Sequence, residues 1–171
     1  MRLTRPGALM LGWAVALAGC SEPEVVNMSA DEVGGQLSNL RIAPGLWEIA
    51  SDVVEVHATD LPIEVRNRMV GPRSRVRHCI TPEQAARPSA NFLAGRSDNG
   101  CVYRNFRVEG GRVSGAMTCR DTRTVMQGVY GPESYDMRMD VATPLPTGVI
   151  MTLKVRARGR RVGRCPEGGK Q

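Results

Sequence analysis

The chain has 171 residues, of which 42% are hydrophobic and 23% are charged, and its formal net charge is +6 at pH 7. A chain of this length can form one domain with a substantial hydrophobic core. It contains five cysteines and two histidines, His57 and His78, but no Cys-x-x-Cys pair. This spacing excludes the usual zinc ligand sets and a c-type haem attachment, so the sequence predicts neither a metal nor a cofactor.

The first 19 residues have the layout of a secretory signal peptide. The segment Met1–Pro6 carries two arginines and no acid, and an apolar run follows from Gly7 to Gly19. This run is shorter than the ~20 residues that a membrane-spanning helix needs. We therefore predict that residues 1–19 are removed during export and take no part in the fold.

The end of the apolar run resembles the lipobox of bacterial lipoproteins, through the residues Leu17-Ala18-Gly19-Cys20. In that family the chain is cut just before the cysteine and the thiol is acylated, and two or more acyl chains anchor a protein stably. The resemblance implies lipidation at Cys20 and a membrane as partner. Because Ser21 follows in place of aspartate, it also implies sorting to the periplasmic face of the outer membrane.

Cleavage would leave 152 of the 171 residues, with 21 basic residues against 17 acidic ones. This mild excess is weak evidence for any partner, and the periplasm offers no nucleic-acid target. We predict a signal peptide over 1–19, a lipidated cysteine and flexible tether over 20–43, a β-rich domain over 44–166 and a C-terminal tail over 167–171. The tether is polar and contains a Gly-Gly pair, so it would let the domain stand off the membrane.

The first part of the domain mixes strands with short helical segments. Alternating residues predict a strand over Leu46–Ala58 and a short strand over Arg75–Ile80. Between them, Leu61–Val70 is compatible with a short helix or an irregular connector. A second helix is predicted to begin with Thr81 as its N-cap and a proline at its first position, and Pro88 ends it.

The second part is predicted to be a series of strands joined by short turns. Gly110-Gly111 and Gly131-Pro132-Glu133-Ser134 are the turn signatures. The flanking strands are Cys101–Val108, Arg112–Arg120, Val125–Tyr130 and Tyr135–Val141. Such a series predicts a mainly β fold, an antiparallel meander that curls into a barrel or half-barrel with one or two short helices.

The last strand alternates between apolar and charged residues. Met151, Leu153, Val155 and Ala157 share one face, opposite Thr152, Lys154, Arg156 and Arg158. The apolar positions extend a pattern of inward methionines, which we interpret as core filler rather than as the lining of an adaptable pocket. These methionines are Met117, Met126, Met137, Met139 and Met151.

The four remaining cysteines predict two disulfides, because an exported protein folds in an oxidising compartment. A two-residue turn at Gly110-Gly111 places Val102, Phe106 and Val108 on one apolar face. It also places Cys101 opposite Arg120, out of reach of Cys119. The pairing we favour on this basis is Cys79–Cys101 and Cys119–Cys165.

The alternative is a three-residue turn that includes Glu109. It would make Cys101 and Cys119 a direct rung of the sheet, and it would leave Cys79–Cys165 as the second disulfide.

Several stretches resemble the bacterial domain-of-unknown-function family 3617, whose members are small exported proteins and often lipoproteins. They extend from Pro44 to Cys165, nearly the whole predicted domain. The matching residues include Pro44-Gly45-Leu46-Trp47-Glu48, Cys79-Ile80-Thr81-Pro82-Glu83-Gln84-Ala85, Cys101-Val102-Tyr103, Met117-Thr118-Cys119 and the run Gly159–Cys165. The resemblance implies an export-competent β domain with paired cysteines. It implies no mechanism, because the family has no assigned activity.

Two patterns suggest what the domain binds. Lys154, Arg156, Arg158 and Arg160 alternate along one strand face and form a candidate site for an anionic envelope component. We favour the simpler interpretation, a solvated or edge-protecting face. Separately, Gly45-Leu46-Trp47 is similar to the Gly-x-Trp of lipocalins, which implies a small apolar ligand; a tryptophan packed in the core is the simpler interpretation.

No catalytic residues are predicted. His57 and His78 are the natural proton-transfer groups, but neither lies in a motif with a nucleophile. The sequence therefore indicates a non-enzymatic binding or structural module of the envelope, and a calycin-like carrier of a small apolar ligand is the alternative.

Overall fold

The computed structural model describes residues 26–89 and 100–166. The predicted signal peptide, Cys20 and the predicted tail over 167–171 lie outside these ranges. Within the described ranges the elements follow in this order: β1 (Asn27–Met28), α1 (Ala30–Leu37), β2 (Gly45–His57), α2 (Ile63–Met69), β3 (Gly71–Ile80), α3 (Pro82–Ala86), β4 (Val102–Glu109), β5 (Arg112–Cys119), β6 (Thr122–Tyr130), β7 (Ser134–Pro144) and β8 (Ile150–Gly163).

The strands form one antiparallel sheet in the order β1-β4-β5-β6-β7-β8-β2-β3. Strands β4 to β8 are the predicted meander, and β2 joins it by pairing with β8. The short β1 and the long β3 are the two edges, so the sheet curls but does not close. The prediction of a mainly β meander with short helices is confirmed, in its half-barrel form. None of the helices in the described ranges is long and apolar enough to cross a membrane.

A local signal starts the predicted helix at Thr81, and the stretch over 61–70, for which the sequence allowed a short helix or an irregular connector, contains a helix. The Thr81 side chain accepts from the Gln84 backbone N–H at 3.2 Å, and the Gln84 side chain accepts from the Thr81 N–H at 3.0 Å. This reciprocal capping box starts α3, as predicted. The stretch after β2 resolves as the helix α2, with Pro62 at its N-cap. Strand β3 begins at Gly71, earlier than expected.

The apolar face of the sheet carries the core. Trp47 is 0% exposed, and its ring stacks against Tyr135 with the centroids 6.2 Å apart. Its indole Nε1 donates to the Ala43 carbonyl oxygen at 3.0 Å. The predicted inward methionines contribute as well: Met126 and Met137 are buried, Met117 and Met139 pack against the core, and Met151 is half-buried.

The segment before the sheet is packed, and this corrects the predicted tether over 20–43. Helix α1 covers part of the apolar face, and its side chains Val33 and Leu37 are both 0% exposed. Leu40 and Ile42 belong to the same core cluster. Burying four apolar side chains offsets the polar composition and the Gly-Gly pair that favour a flexible chain. The packed part of the described chain therefore includes residues 26–43.

A β-bulge interrupts the pairing of β4 with β5. Arg107 lies opposite Ser114, but Arg104 lies opposite Ala116, so Asn105 and Phe106 together face the single residue Gly115. Asn105 has a φ of 49°, a left-handed conformation that asparagine tolerates. A Cβ on Gly115 would lie 2.9 Å from the Phe106 Cα, so only glycine fits beneath the bulge. We call this feature the β4 bulge.

The β4 bulge overturns the favoured disulfide pairing. The turn is the two-residue turn that we predicted, with Glu109 opposite Arg112. Beyond the bulge, however, the register moves by one residue, so Cys101 rather than Val102 reaches Cys119. The disulfides are Cys101–Cys119, with Cα atoms 4.2 Å apart, and Cys79–Cys165, at 5.5 Å.

The same shift changes which β4 side chains face inward. Tyr103 is 2% exposed on the core side, whereas Val102, which the sequence places in the core, is 44% exposed. The pairs Cys79–Cys101 and Cys119–Cys165 are therefore wrong. Our alternative pairing is correct, although an extra residue in β4, and not a longer turn, produces it.

The packing of α1 predicts a large effect from one buried residue. Leu37→Ala should lower the free energy of unfolding by about 2–5 kcal/mol, because it leaves a cavity between α1 and the sheet. Urea unfolding followed by circular dichroism measures this loss. Asn39→Ala, at an exposed position just beyond the helix, is the control and should change little. Equal stability of the two variants would mean that α1 is not docked.

The two disulfides should differ in their contribution to stability. They join residues 86 and 18 positions apart. Loop-closure entropy then assigns about 4.5 kcal/mol to Cys79–Cys165 and about 3 kcal/mol to Cys101–Cys119. Replacing the first pair with serine should destabilise the domain more, as measured by denaturant unfolding. Peptide mapping of the unreduced protein gives an independent check, and a peptide linked through Cys79 and Cys101 would contradict the structure.

Candidate functional site

The four cations of the predicted basic face project from the outer face of β8, away from the core. Each contacts a carboxylate on a neighbouring strand. Lys154 lies 2.5 Å from Glu55, Arg158 lies 2.6 Å from Asp52, Arg160 lies 3.0 Å from Glu48, and Arg156 forms a bidentate pair with Asp136. Strands β2 and β7, which flank β8, supply these acids. The row is therefore charge-compensated.

These ion pairs shift the pKa values of the groups that form them. The Arg156 guanidinium lowers the pKa of Asp136, and the Arg160 guanidinium lowers the pKa of Glu48. The Lys154 ammonium likewise lowers the pKa of Glu55, and that carboxylate raises the pKa of the lysine. All three acids thus stay ionised at neutral pH. The β8 row alone does not supply an excess of positive charge.

A groove of about 820 Å³ crosses the same outer face, over strands β4 to β8. We call it the outer-face groove. Five cations line it and one acid, Asp140, does so. The cations are Arg104, Arg123, Arg138, Lys154 and Arg156. Two of the four residues of the predicted basic face thus belong to the groove, and three arginines come from other strands.

The three additional arginines carry the charge excess. Arg104, Arg123 and Arg138 are exposed, and none of them forms an ion pair with an acidic side chain among the described residues. Arg138 lies near enough to Asp136 to contribute to the lowered pKa of that carboxyl. Guanidinium groups without a carboxylate partner can bind phosphate or carboxylate oxygens in a bidentate manner.

The floor of the outer-face groove is partly apolar. Val125 lies in it, flanked by Ala116 on β5 and by Asp140 on β7. Val125 is 43% exposed, and Val54, at the far side, is 53% exposed. Arginines beside exposed valines produce an amphipathic surface, which suits a ligand with an anionic and an apolar part.

The sequence predicts the outward direction of only some of the groove arginines. Arg138 lies on the polar side of an alternating strand, so its outward direction is predictable. Arg123 precedes the predicted strand Val125–Tyr130, so the sequence predicts no direction for it. Arg104 is not predictable in this way. In an uninterrupted β4–β5 ladder it would face the core, and the β4 bulge turns it outward opposite Ala116.

The two histidines do not form a catalytic constellation. His57 Nε2 lies 2.5 Å from Glu55 Oε1, and no serine lies within hydrogen-bonding distance of its ring in the described ranges. His78 lies on β3 opposite Trp47, and its side chain makes no hydrogen bond within the same ranges. No group of three or more His, Cys, Asp or Glu side chains in the described part of the chain could hold a metal ion.

Trp47 is a core residue. It is fully buried beside Tyr135, and α1 fills the adjoining space with Val33 and Leu37. The geometry around Gly45-Leu46-Trp47 is therefore that of packed side chains, in agreement with the simpler interpretation of this motif.

The family model of a protein of unknown function, DUF3617, matches residues 42–165. This match covers well over half of the chain and agrees with the resemblance noted in the sequence. Comparison with curated proteins and with solved structures found no match. The β1–α1 segment precedes the matched region but belongs to the same folded unit.

The ion pairs of the outer face predict a loss of stability in acid. The pKa of Asp136 lies below its usual 3.8 in the folded protein. The unfolded chain therefore binds more protons below about pH 4, and the stabilisation present above that pH is lost as the pH falls. Urea midpoints between pH 6 and pH 3 measure this slope.

Asp136→Asn should make the acid slope shallower, since it removes one of the groups responsible. Asp121→Asn, in the exposed turn between β5 and β6, is the matched control and should leave the slope unchanged. Identical slopes for wild type and Asp136→Asn would show that the pair with Arg156 adds no stability.

Proposed function

Because the chain belongs to the DUF3617 family of proteins of unknown function, we propose its activity from its own surface. It is a lipid-anchored module of the bacterial envelope that binds an anionic component in the outer-face groove and catalyses no reaction. The observation that carries this proposal is that Arg104, Arg123 and Arg138 line the groove and form no ion pair with an acidic side chain among the described residues.

The charge excess supports an anionic ligand rather than a structural face. A face built only for solubility or edge protection needs mixed charges, and the β8 row provides them. The outer-face groove instead gathers three arginines that lack carboxylate partners among the described residues. Their exposed guanidinium groups have to be hydrated until an anion replaces the water, so phosphate or carboxylate groups are the natural ligands.

The apolar floor narrows the ligand class to an amphiphile. Val54 and Val125 leave roughly half of their surfaces in contact with water. Covering such surface is favourable by about 25 cal/mol per Å². A phosphate-bearing lipid meets both requirements, whereas a free inorganic anion meets only the first.

The other two functional hypotheses receive less support. A carrier of a purely apolar ligand needs apolar space, and α1 and Trp47 fill the core side of the sheet. A hydrolase needs a nucleophile beside a base, and the hydrogen-bonding partner of His57 is a carboxylate.

The test compares two charge-reversed proteins with equal net charge. Both are made in the mature chain with Cys20→Ser, so that they stay soluble. The groove variant carries Arg104→Glu, Arg123→Glu and Arg138→Glu; the control carries Arg41→Glu, Arg87→Glu and Arg164→Glu, at exposed positions outside the groove. Calorimetry measures binding of dihexanoyl phosphatidylglycerol below its micellar concentration.

The groove variant should bind at least about 10-fold more weakly than wild type, since a hydrogen bond to a charged group contributes ~1.5–3 kcal/mol. The control should bind nearly as well as wild type. Equal weakening of binding in both variants would mean that the net charge of the protein, and not the groove, explains the effect. Failure of the wild type to prefer phosphatidylglycerol over phosphatidylcholine would overturn the proposal.

A further inference from the structure

We propose that the outer-face groove binds acidic lipid headgroups of the same bilayer in which Cys20 is anchored. This inference deepens the proposed function and rests on it. It adds the source of the ligand, and it follows from where the described chain begins relative to the groove.

The described chain begins at the edge of the groove. The Val26 backbone N–H donates to Asn105 Oδ1 at 3.0 Å, and the Asn105 N–H donates to the Val26 carbonyl oxygen at 2.9 Å. The next residue, Asn27, pairs with Arg104. Asn105 and Arg104 both line the outer-face groove. The described chain therefore begins at the β4 side of the groove, and we call this position of Val26 the exit point.

This exit point is firmly held. Helix α1 follows β1 directly, and Val33 and Leu37 on it are fully buried against the sheet. Undocking α1 would expose both side chains, which together contribute several kcal/mol of hydrophobic stabilisation, on the order of 1.5–3 kcal/mol each. Because only Ser29 separates β1 from α1, the docked helix keeps the exit point close to the β4 edge while the domain is folded.

The remaining covalent connection is short. Cys20 is six residues before Val26 in the sequence. A fully extended chain advances at most ~3.6 Å per residue, so the lipidated thiol lies no more than about 22 Å from the groove edge. Strands β4 and β8 are four strand spacings apart, or about 19 Å. The anchor is therefore no farther from the groove edge than roughly the width of the groove itself.

The short connection between Cys20 and the groove determines which anions are most concentrated near its arginines. Charges in physiological salt are screened beyond about 8 Å, so a domain on a long tether would feel little attraction to the bilayer. A six-residue connection lets the arginines come within this range and raises the local concentration of headgroups far above that of a soluble ligand. Arg104, Arg123 and Arg138 then supply charge complementary to acidic lipid.

The experiment places a fluorophore on the outer face and measures energy transfer to an acceptor dye on lipid headgroups. The full lipidated chain is labelled through Val129→Cys, an exposed position on β6 just outside the groove, and is reconstituted into phosphatidylcholine vesicles with or without phosphatidylglycerol. The control label is on Asn39→Cys, beside α1 on the opposite side of the sheet.

Transfer from Val129→Cys should rise when phosphatidylglycerol is present, and transfer from Asn39→Cys should not. The triple Arg104, Arg123 and Arg138 reversal should abolish the rise. A Gly-Ser insertion of about 20 residues after Cys20 should weaken it, because the average reach of the connection increases from roughly 13 Å to roughly 28 Å and the effective concentration of headgroups falls.

Transfer that is equal from both labels, or independent of phosphatidylglycerol, would overturn the inference. If the soluble Cys20→Ser chain still bound dihexanoyl phosphatidylglycerol in that case, the proposed function would stand and only the membrane as its source of ligand would fall. Loss of phosphatidylglycerol binding by the soluble chain would overturn both the proposed function and this inference.

Discussion

The organisation of this domain depends on one extra residue in β4. At the β4 bulge, Asn105 and Phe106 oppose Gly115, and every pairing beyond that point moves by one position. Since side chains alternate between the faces of a strand, a shift of one residue exchanges inside for outside. The bulge therefore brings Tyr103 into the core and turns Arg104 towards solvent. It also makes Cys101 and Cys119 a rung that a disulfide can bridge.

The same bulge connects the core to the proposed site. Asn105, in its left-handed conformation, presents its side chain and backbone N–H to Val26, which holds the start of the described chain against the sheet edge. Helix α1 then lies over the apolar face, and the opposite face stays open as the outer-face groove. The two faces have separate tasks: one buries Trp47, Leu37 and their neighbours, and the other carries cations in excess of acids.

The sequence predicted the meander well because its signals are local. Alternation in β7 and β8 and the turn at Gly110-Gly111 depend on neighbouring residues only. Helix α1 was missed because Gly34 and Gly35 weaken its propensity, and its stability comes from contacts with distant strands. A local signal was present, however, since Ser29 and Glu32 form a capping box at its start. The β4 bulge left no comparable trace, because one inserted residue within a strand has no turn signature. Because the bulge was not predicted, the favoured disulfide pairs were wrong and the outward direction of Arg104 was not predicted.

The strand register on either side of the β4 bulge tests this account most directly. Cross-strand nuclear Overhauser contacts in the oxidised mature chain measure it. The account predicts that Tyr103 lies opposite Met117 and Val108 opposite Val113, with contacts between Val26 and Asn105. A continuous ladder with Tyr103 opposite Thr118 would contradict it. The core and the disulfide rung would then both need another explanation, and the proposed position of the anchor beside the groove would lose its support.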